Sequence, residues 1–244
     1  VVTDGMVLQN SKGSGIKQWR SDAYFRTQIE GFDVRYMKFF HNGTTIGSDT
    51  AGASEGHIFS RAAKNGTIEY VTIDGDKDNM GSYGYICGIN YGDDEFAIGT
   101  RTPSEAPVLI RHCTIYNLKG DPSSNDAGIG IKCENGIFTV QDCTLYNNLK
   151  GIDLGQQTMT GVQPNITYNV NRVLAYNNTW GVVFNNYWES EGGSYSGIVK
   201  FYLMNSIIRD NTDEGLWAYA GPFDIYVIHN TFDNNGTSGN GQSC

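Results

Sequence analysis

Residues 137–154, IFTVQDCTLYNNLKGIDL, hold two short runs in which apolar and polar positions alternate, separated by an Asn-rich corner and a Gly-led restart. With Val140, Cys143 and Leu145 as reference points, the same triplet recurs as Val34/Met37/Phe39, Ile68/Val71/Ile73, Ile110/Cys113/Ile115, Val170/Val173/Ala175, Leu203/Ser206/Ile208 and Val227/Asn230/Phe232. The Gly-led run recurs after Gly56, Gly84, Gly128, Gly151, Gly181 and Gly215. A unit of two short period-2 runs cannot bury its own inward face, whereas stacked units can, with like positions about 4.8 Å apart. The spacing between copies varies from 24 to 42 residues, so insertions fall in corners while strands keep register. A β-sandwich also has many short strands, but gives no reason for one triplet and one Asn corner to repeat in each unit. The pattern therefore predicts an all-β chain folded as a single-stranded, right-handed parallel β-helix of seven or eight coils. One domain covers residues 1–244, with an irregular first coil at 1–33 and a polar tail at 238–244.

Within that frame, alternation puts Ile129 and Ile131 inward and Gly130 and Lys132 outward, with Asp153 outward between Ile152 and Leu154. The long insertion after the Gly84 strand holds Asp93 and Asp94. Asp74, Asp76 and Asp78 alternate ahead of a Gly, the opening of a calcium loop or simply a solvated acidic corner. Toward the end of the chain Trp180, Tyr187, Trp188, Trp217 and Tyr219 gather on or just after the Gly-led strands, with Val183 also outward. Such a stripe is core and corner filling, a sugar-stacking platform or a protein interface.

Composition sharpens the picture. The 31 Gly and 23 Asn against 5 Pro suit tight corners rather than helices, and helix is expected to be scarce. A net charge of −9 disfavours nucleic acid and anionic membrane surfaces, and no apolar run is long enough to span a bilayer. Cys113 and Cys143 fall on one ladder position in adjacent coils, which fits either a disulfide or a buried thiol ladder; Cys87, Cys133 and Cys244 complete the set. Sequons stand at Asn42, Asn65, Asn165, Asn177 and Asn235, and all but Asn177 are read as corners where a glycan fits.

The segments CTIYNLKG, CTLYNNLKG, VLAYNNTWG and NTFDNNGTSG resemble the repeats of right-handed parallel β-helix proteins of the pectate-lyase-like superfamily. The resemblance covers roughly residues 30–237. It implies the fold and leaves function open among lyases, hydrolases, tailspikes, adhesins and structural rods. By similarity to the calcium-dependent lyases, Asp93, Asp94 and Asp153 would hold the cation and Lys132 would remove the proton in β-elimination of an acidic polysaccharide. The further acid that those lyases carry after the pair is missing, since Glu95 is followed by Phe96 and Ala97. Calcium is the one cofactor these readings imply.

Two functional expectations follow. One is an extracellular or cell-surface structural or adhesive rod, glycosylated at its sequons, whose open coil ends meet other copies or an adjoining domain. The other is a polysaccharide lyase or a glycan-binding module.

Overall fold

The computed structural model describes residues 2–4, 6–9, 15–18, 29–41, 55–61, 63–76, 86–92, 104–118, 128–134, 136–156, 166–186, 199–219 and 223–236. Three long sheets run along the molecule, and all their strand pairs are parallel. The first stacks β1 (Val2–Asp4), β5 (Asp33–Arg35), β9 (Thr67–Glu69), β12 (Ser104–Arg111), β15 (Gly136–Gln141), β18 (Ile166–Asn171), β21 (Val199–Met204) and β24 (Asp224–Ile228). The second stacks β2 (Val7–Gln9), β6 (Lys38–Phe40), β10 (Thr72–Asp74), β13 (Thr114–Tyr116), β16 (Thr144–Tyr146), β19 (Leu174–Tyr176), β22 (Ile207–Arg209) and β25 (Thr231–Asp233). The third stacks β3 (Ile16–Gln18), β7 (Glu55–Arg61), β11 (Ile86–Gly92), β14 (Ile129–Glu134), β17 (Lys150–Gln156), β20 (Trp180–Asn186) and β23 (Leu216–Tyr219). A two-stranded ribbon joins β4 (Ile29–Glu30) to β8 (Ala63–Lys64).

The chain visits the three sheets in turn, one strand per coil, as a parallel β-helix requires. Seven coils contribute to all three sheets, and β24 and β25 begin an eighth. Strands β1 to β3 supply the first coil. No helix occurs among the described residues.

The repeated triplets are the core. Val34, Ile68, Ile110, Val140, Val170 and Leu203 form one buried column, and Phe39, Ile73, Ile115, Leu145, Ala175 and Ile208 a second. Between them run Met37, Val71, Cys113, Cys143, Val173 and Ser206. The four described cysteines are free thiols. Burial pushes the Cys133 and Cys143 thiols well above their ordinary pKa, so both are protonated and unreactive.

Two sharp corners turn each coil. Tyr36, Tyr70, His112, Asp142, Arg172, Asn205 and His229 make the first, each with φ between 51° and 56°. Holding a non-glycine residue there costs about 1–3 kcal/mol. The corner amide offsets this by donating to a carbonyl of the next coil, as Tyr70 N does to Arg111 O and Arg172 N to Met204 O. Outside the corner the same spacing stacks Tyr36 on Tyr70 and Tyr70 on His112, and pairs Arg172 with Asp142 through two hydrogen bonds.

At the second corner the doubled asparagines divide two tasks. Asn117, Asn147, Asn177, Asp210 and Asn234 adopt positive φ, which Asn and Asp tolerate best among residues with side chains. The following residue turns inward. Asn148, Asn178, Asn211 and Asn235 each donate through Nδ2 to a carbonyl of the preceding coil: Ile115, Leu145, Ala175 and Ile208. Each Oδ1 accepts the amide of the matching corner residue, from Leu118 N to Asn211 N.

The Gly-led strands follow a different register from the one the sequence implies. Gly56 pairs with Cys87, and Gly88, Gly130, Gly151, Gly181 and Gly215 form one column, with His57 at the equivalent position. These glycines face inward: a Cβ on Gly130 would lie 2.7 Å from Leu145 Cδ2, and one on Gly181 2.6 Å from Ile208 Cγ2. Gly130 is thus not outward, and the strand kinks there so that Ile131 also enters the core while Ile129 stays outside the core cluster. His57 packs edge-on against Phe39 at 6.3 Å.

Burial, aided by His41, lowers the His57 pKa from 6.5 to about 3. The folded protein therefore keeps it neutral, whereas the unfolded chain takes up a proton below about pH 6.5. Stability contributed by this group is full above pH 6.5 and falls by about 1.4 kcal/mol per pH unit on acidification toward 3. Urea unfolding at pH 7 and pH 5 is expected to show a shallower loss for His57→Gln than for the parent; parallel losses would refute it. A second test addresses the ladder. Asn178→Ala strips a buried carbonyl and a buried amide of their partners and is expected to cost about 2–4 kcal/mol in the same assay, against little change for Asn177→Gly, which keeps the positive φ open at an exposed corner.

Candidate functional site: the outer face of the third sheet and the last rung

The kink at the glycine column brings two neighbouring columns onto the outer face of the third sheet. One contains Cys87, Ile129, Lys150 and Trp180; the other Phe59, Asn90, Lys132, Asp153, Val183 and Trp217. Beside them runs a third, Gly92, Glu134, Gly155, Asn185 and Tyr219.

In the middle coils this face is polar and buried. Lys132 and Asp153 are outward, as expected, but only 5 % and 4 % exposed. Although they are rung neighbours, they take other partners. Lys132 Nζ lies 3.0 Å from Glu134 Oε1, on the same strand. Lys150, wholly buried, places Nζ 2.6 Å from Asp153 Oδ2, and Asn185 Nδ2 donates to Asp153 Oδ1 at 2.9 Å. Glu134 sits between Gly92 and Gly155 in the register; a Cβ on Gly92 would come within 3.2 Å of its carboxylate. Among the described residues Asn185 Oδ1 has no hydrogen-bond partner, although Asn185 is 1 % exposed.

Of the expected lyase residues, Lys132 and Asp153 lie among the described ones, and each has a charge partner of its own. Two lysines neutralise two carboxylates, and no group of three metal-ligating side chains occurs among the described residues. A general base must reach its proton from solvent or substrate, whereas the Lys132 ammonium is buried against a carboxylate. Asp93 and Asp94 lie outside the described residues. Asp74 and Asp76 are described, and both are engaged locally: Asp74 Oδ1 accepts from Asp76 N and Asn117 Nδ2, and Asp76 Oδ2 lies 2.8 Å from His41 Nδ1. Asp78 is outside the described residues.

The aromatic stripe is only partly visible. Trp180 and Trp217 stack with centroids 5.8 Å apart, and Tyr219 lies 5.8 Å further on at 46°. Tyr219 is exposed, while Val183 is fully buried and so is not part of an exposed stripe. Tyr187 and Trp188 lie outside the described residues.

Of the sequons, Asn65 and Asn177 are exposed corner residues. Asn235 is not a free corner amide, because its Nδ2 is spent on Ile208 O and its Oδ1 on the Asn211 amide. Asn42 and Asn165 lie outside the described residues.

A second region stands out at the last rung. Val227 and Phe232 continue the two core columns, above Leu203 and Ile208, yet are 44 % and 37 % exposed where those residues are fully buried. Strands β24 and β25 are edge strands of their sheets. The sequence pattern contained both residues as a normal triplet, and the expected open coil ends did not single them out. Lys150, Glu134 and Asn185 were missed for a different reason, since their grouping needs the strand register.

No protein-family model matches the chain, and comparison with curated proteins and with solved structures gives no match either.

The ion pairs make a direct test of the outer face. Removing one partner of a buried pair strands the other charge, so Lys150→Met is expected to destabilise by about 3–5 kcal/mol, and Lys150→Met with Asp153→Asn by clearly less. Equal losses in guanidinium unfolding for the single and double variants would contradict this.

Proposed function

We propose that the chain is a structural or adhesive β-helix rod of the cell surface or exterior, which builds an assembly through its open rung. The observation that carries this reading is the exposure of Val227 and Phe232, two side chains in core columns, on edge strands that leave backbone groups unpaired. Repeat folds gain stability from each interface between neighbouring units, and an uncovered unit forgoes one such interface. The exposed sequons Asn65 and Asn177 are compatible with glycosylation outside the cell. The locked Lys132–Glu134 and Lys150–Asp153 pairs argue against acid–base catalysis on this face.

A glycan-binding reading draws support from one feature, the Trp180–Trp217 stack adjoining Tyr219, in the sheet that also holds the unpartnered Asn185 oxygen. It is compatible with a rod that also adheres.

Sedimentation velocity over a wide concentration range, with unfixed electron microscopy of the same samples, is expected to reveal oligomers or filaments. Val227→Lys with Phe232→Lys should abolish them while leaving the β circular dichroism unchanged. A monomer at every concentration would overturn the assembly reading.

A further inference from the structure

We propose that Lys150 and Asn185 join in an intramolecular isopeptide bond, with Asp153 carrying the protons and ammonia leaving. This modification goes beyond the rod reading and does not depend on it. The first observation behind it is that one carboxylate holds both reactants. Lys150 Nζ lies 2.6 Å from Asp153 Oδ2, and Asn185 Nδ2 donates to Asp153 Oδ1 at 2.9 Å. The amine belongs to β17 and the amide to β20, in adjacent coils. Holding a nucleophile and its target on one proton carrier makes a slow amide exchange a local step.

Second, the site is sealed. Lys150, Asp153 and Asn185 are 0 %, 4 % and 1 % exposed. In the register Lys150 stands between Ile129 and Trp180, and Asp153 adjoins the fully buried Val183. Water would compete with the amine as nucleophile and would hold it in its charged form. The burial that shuts an external substrate out of this face leaves its own side chains in contact.

Third, the hydrogen bonding of the unreacted groups is incomplete. An ammonium carries three donors, yet among the described residues Asp153 is the one partner of Lys150 Nζ. Asn185 Oδ1 has none. The bond removes both deficits. Asp153 takes a proton from the ammonium, and the flexible lysine stem carries the neutral Nζ to Asn185 Cγ. As the new C–N bond forms, the bond from Cγ to Nδ2 breaks, and Nδ2 leaves as ammonia with a second Nζ proton relayed by Asp153. Of the three ammonium protons, one stays on the new amide, one departs with ammonia and one remains on Asp153. The amide N–H then donates to one Asp153 oxygen, while the protonated oxygen donates to Asn185 Oδ1. Two buried charges are replaced by a neutral, paired group.

Intact-mass measurement of the folded protein, followed by digestion and peptide sequencing by mass spectrometry, tests the bond. The expected mass lies one ammonia below that of the sequence, and digestion should yield a branched peptide joining Lys150 to Asn185. Lys150→Met and Asp153→Ala are each expected to show the full mass of their own sequences. Asn185→Asp changes the leaving group and not the bond, so that variant should lie one water below its own sequence mass and give the same branched peptide. The parent protein decides the matter whether or not the variants fold. A folded parent of full mass, a loss of ammonia without the branched peptide, or a bond from Lys150 to Asp153 in place of Asn185 would each overturn the proposal. The rod reading is judged separately, by assembly, and stands or falls without this bond.

Discussion

The structure depends on keeping backbone polar groups satisfied at two sharp corners in coil after coil. Strand ladders do this along the sheets, but at a corner the chain leaves the ladder and its amides need other acceptors. The second corner supplies them through the inward asparagines: each Oδ1 takes an amide of one coil while its Nδ2 donates to a carbonyl of that coil. The first corner uses left-handed residues whose amides point along the stack. Both devices work only when corresponding residues sit one rung apart, so they fix the register of every strand between them.

Once register is fixed, each outer position meets its own copy at about 4.8 Å. Aromatic rings and amides gain from this arrangement, which is why Tyr116, Tyr146 and Tyr176 stack at 4.8 and 5.0 Å and Asn147 donates to Asn117. Like charges lose. The outer columns alternate sign accordingly, with Glu69 between Arg35 and Arg111, Arg172 beside Asp142, and Lys132 next to Asp153 in the register. The buried pairs on the third sheet extend the same rule to a site where water cannot screen them. Each buried charge there is satisfied by a partner on its own strand.

The parts of this design that depend on period were legible in the sequence. The triplets Val140/Cys143/Leu145 and their copies mark the core columns because inward positions must be apolar at fixed spacing, and residues 238–244 aside, the coil order follows from them. The glycine column was not, because a residue without a side chain carries no sign of which way it faces. Aligning Gly128 with Gly151 instead of Gly130 concealed the kink, and with it the outward turn of Lys150 toward Asp153. The doubled asparagines read as a polar corner, yet one member is exposed and the other buried; that division arises from positive φ at the first residue, which turns the second inward. Asn235 was misplaced for the same reason. Lys132 was placed on the correct face, but its burial against Glu134 depends on the neighbouring glycines Gly92 and Gly155.

A ladder that satisfies each rung with the next transfers its unmet requirement to the last one. Inside the stack, Leu203 and Ile208 are covered from both sides; at the last rung, Val227 and Phe232 are covered from one. Burying that apolar surface returns about 25 cal/mol for each Å² removed from water, and pairing the edge strands adds hydrogen bonds of the kind already made within the rod. A flat hydrophobic surface would accept many partners. This one has two further constraints, strand polarity and the spacing of the two core columns. The features that hold the coils together therefore also shape the surface at the last described rung.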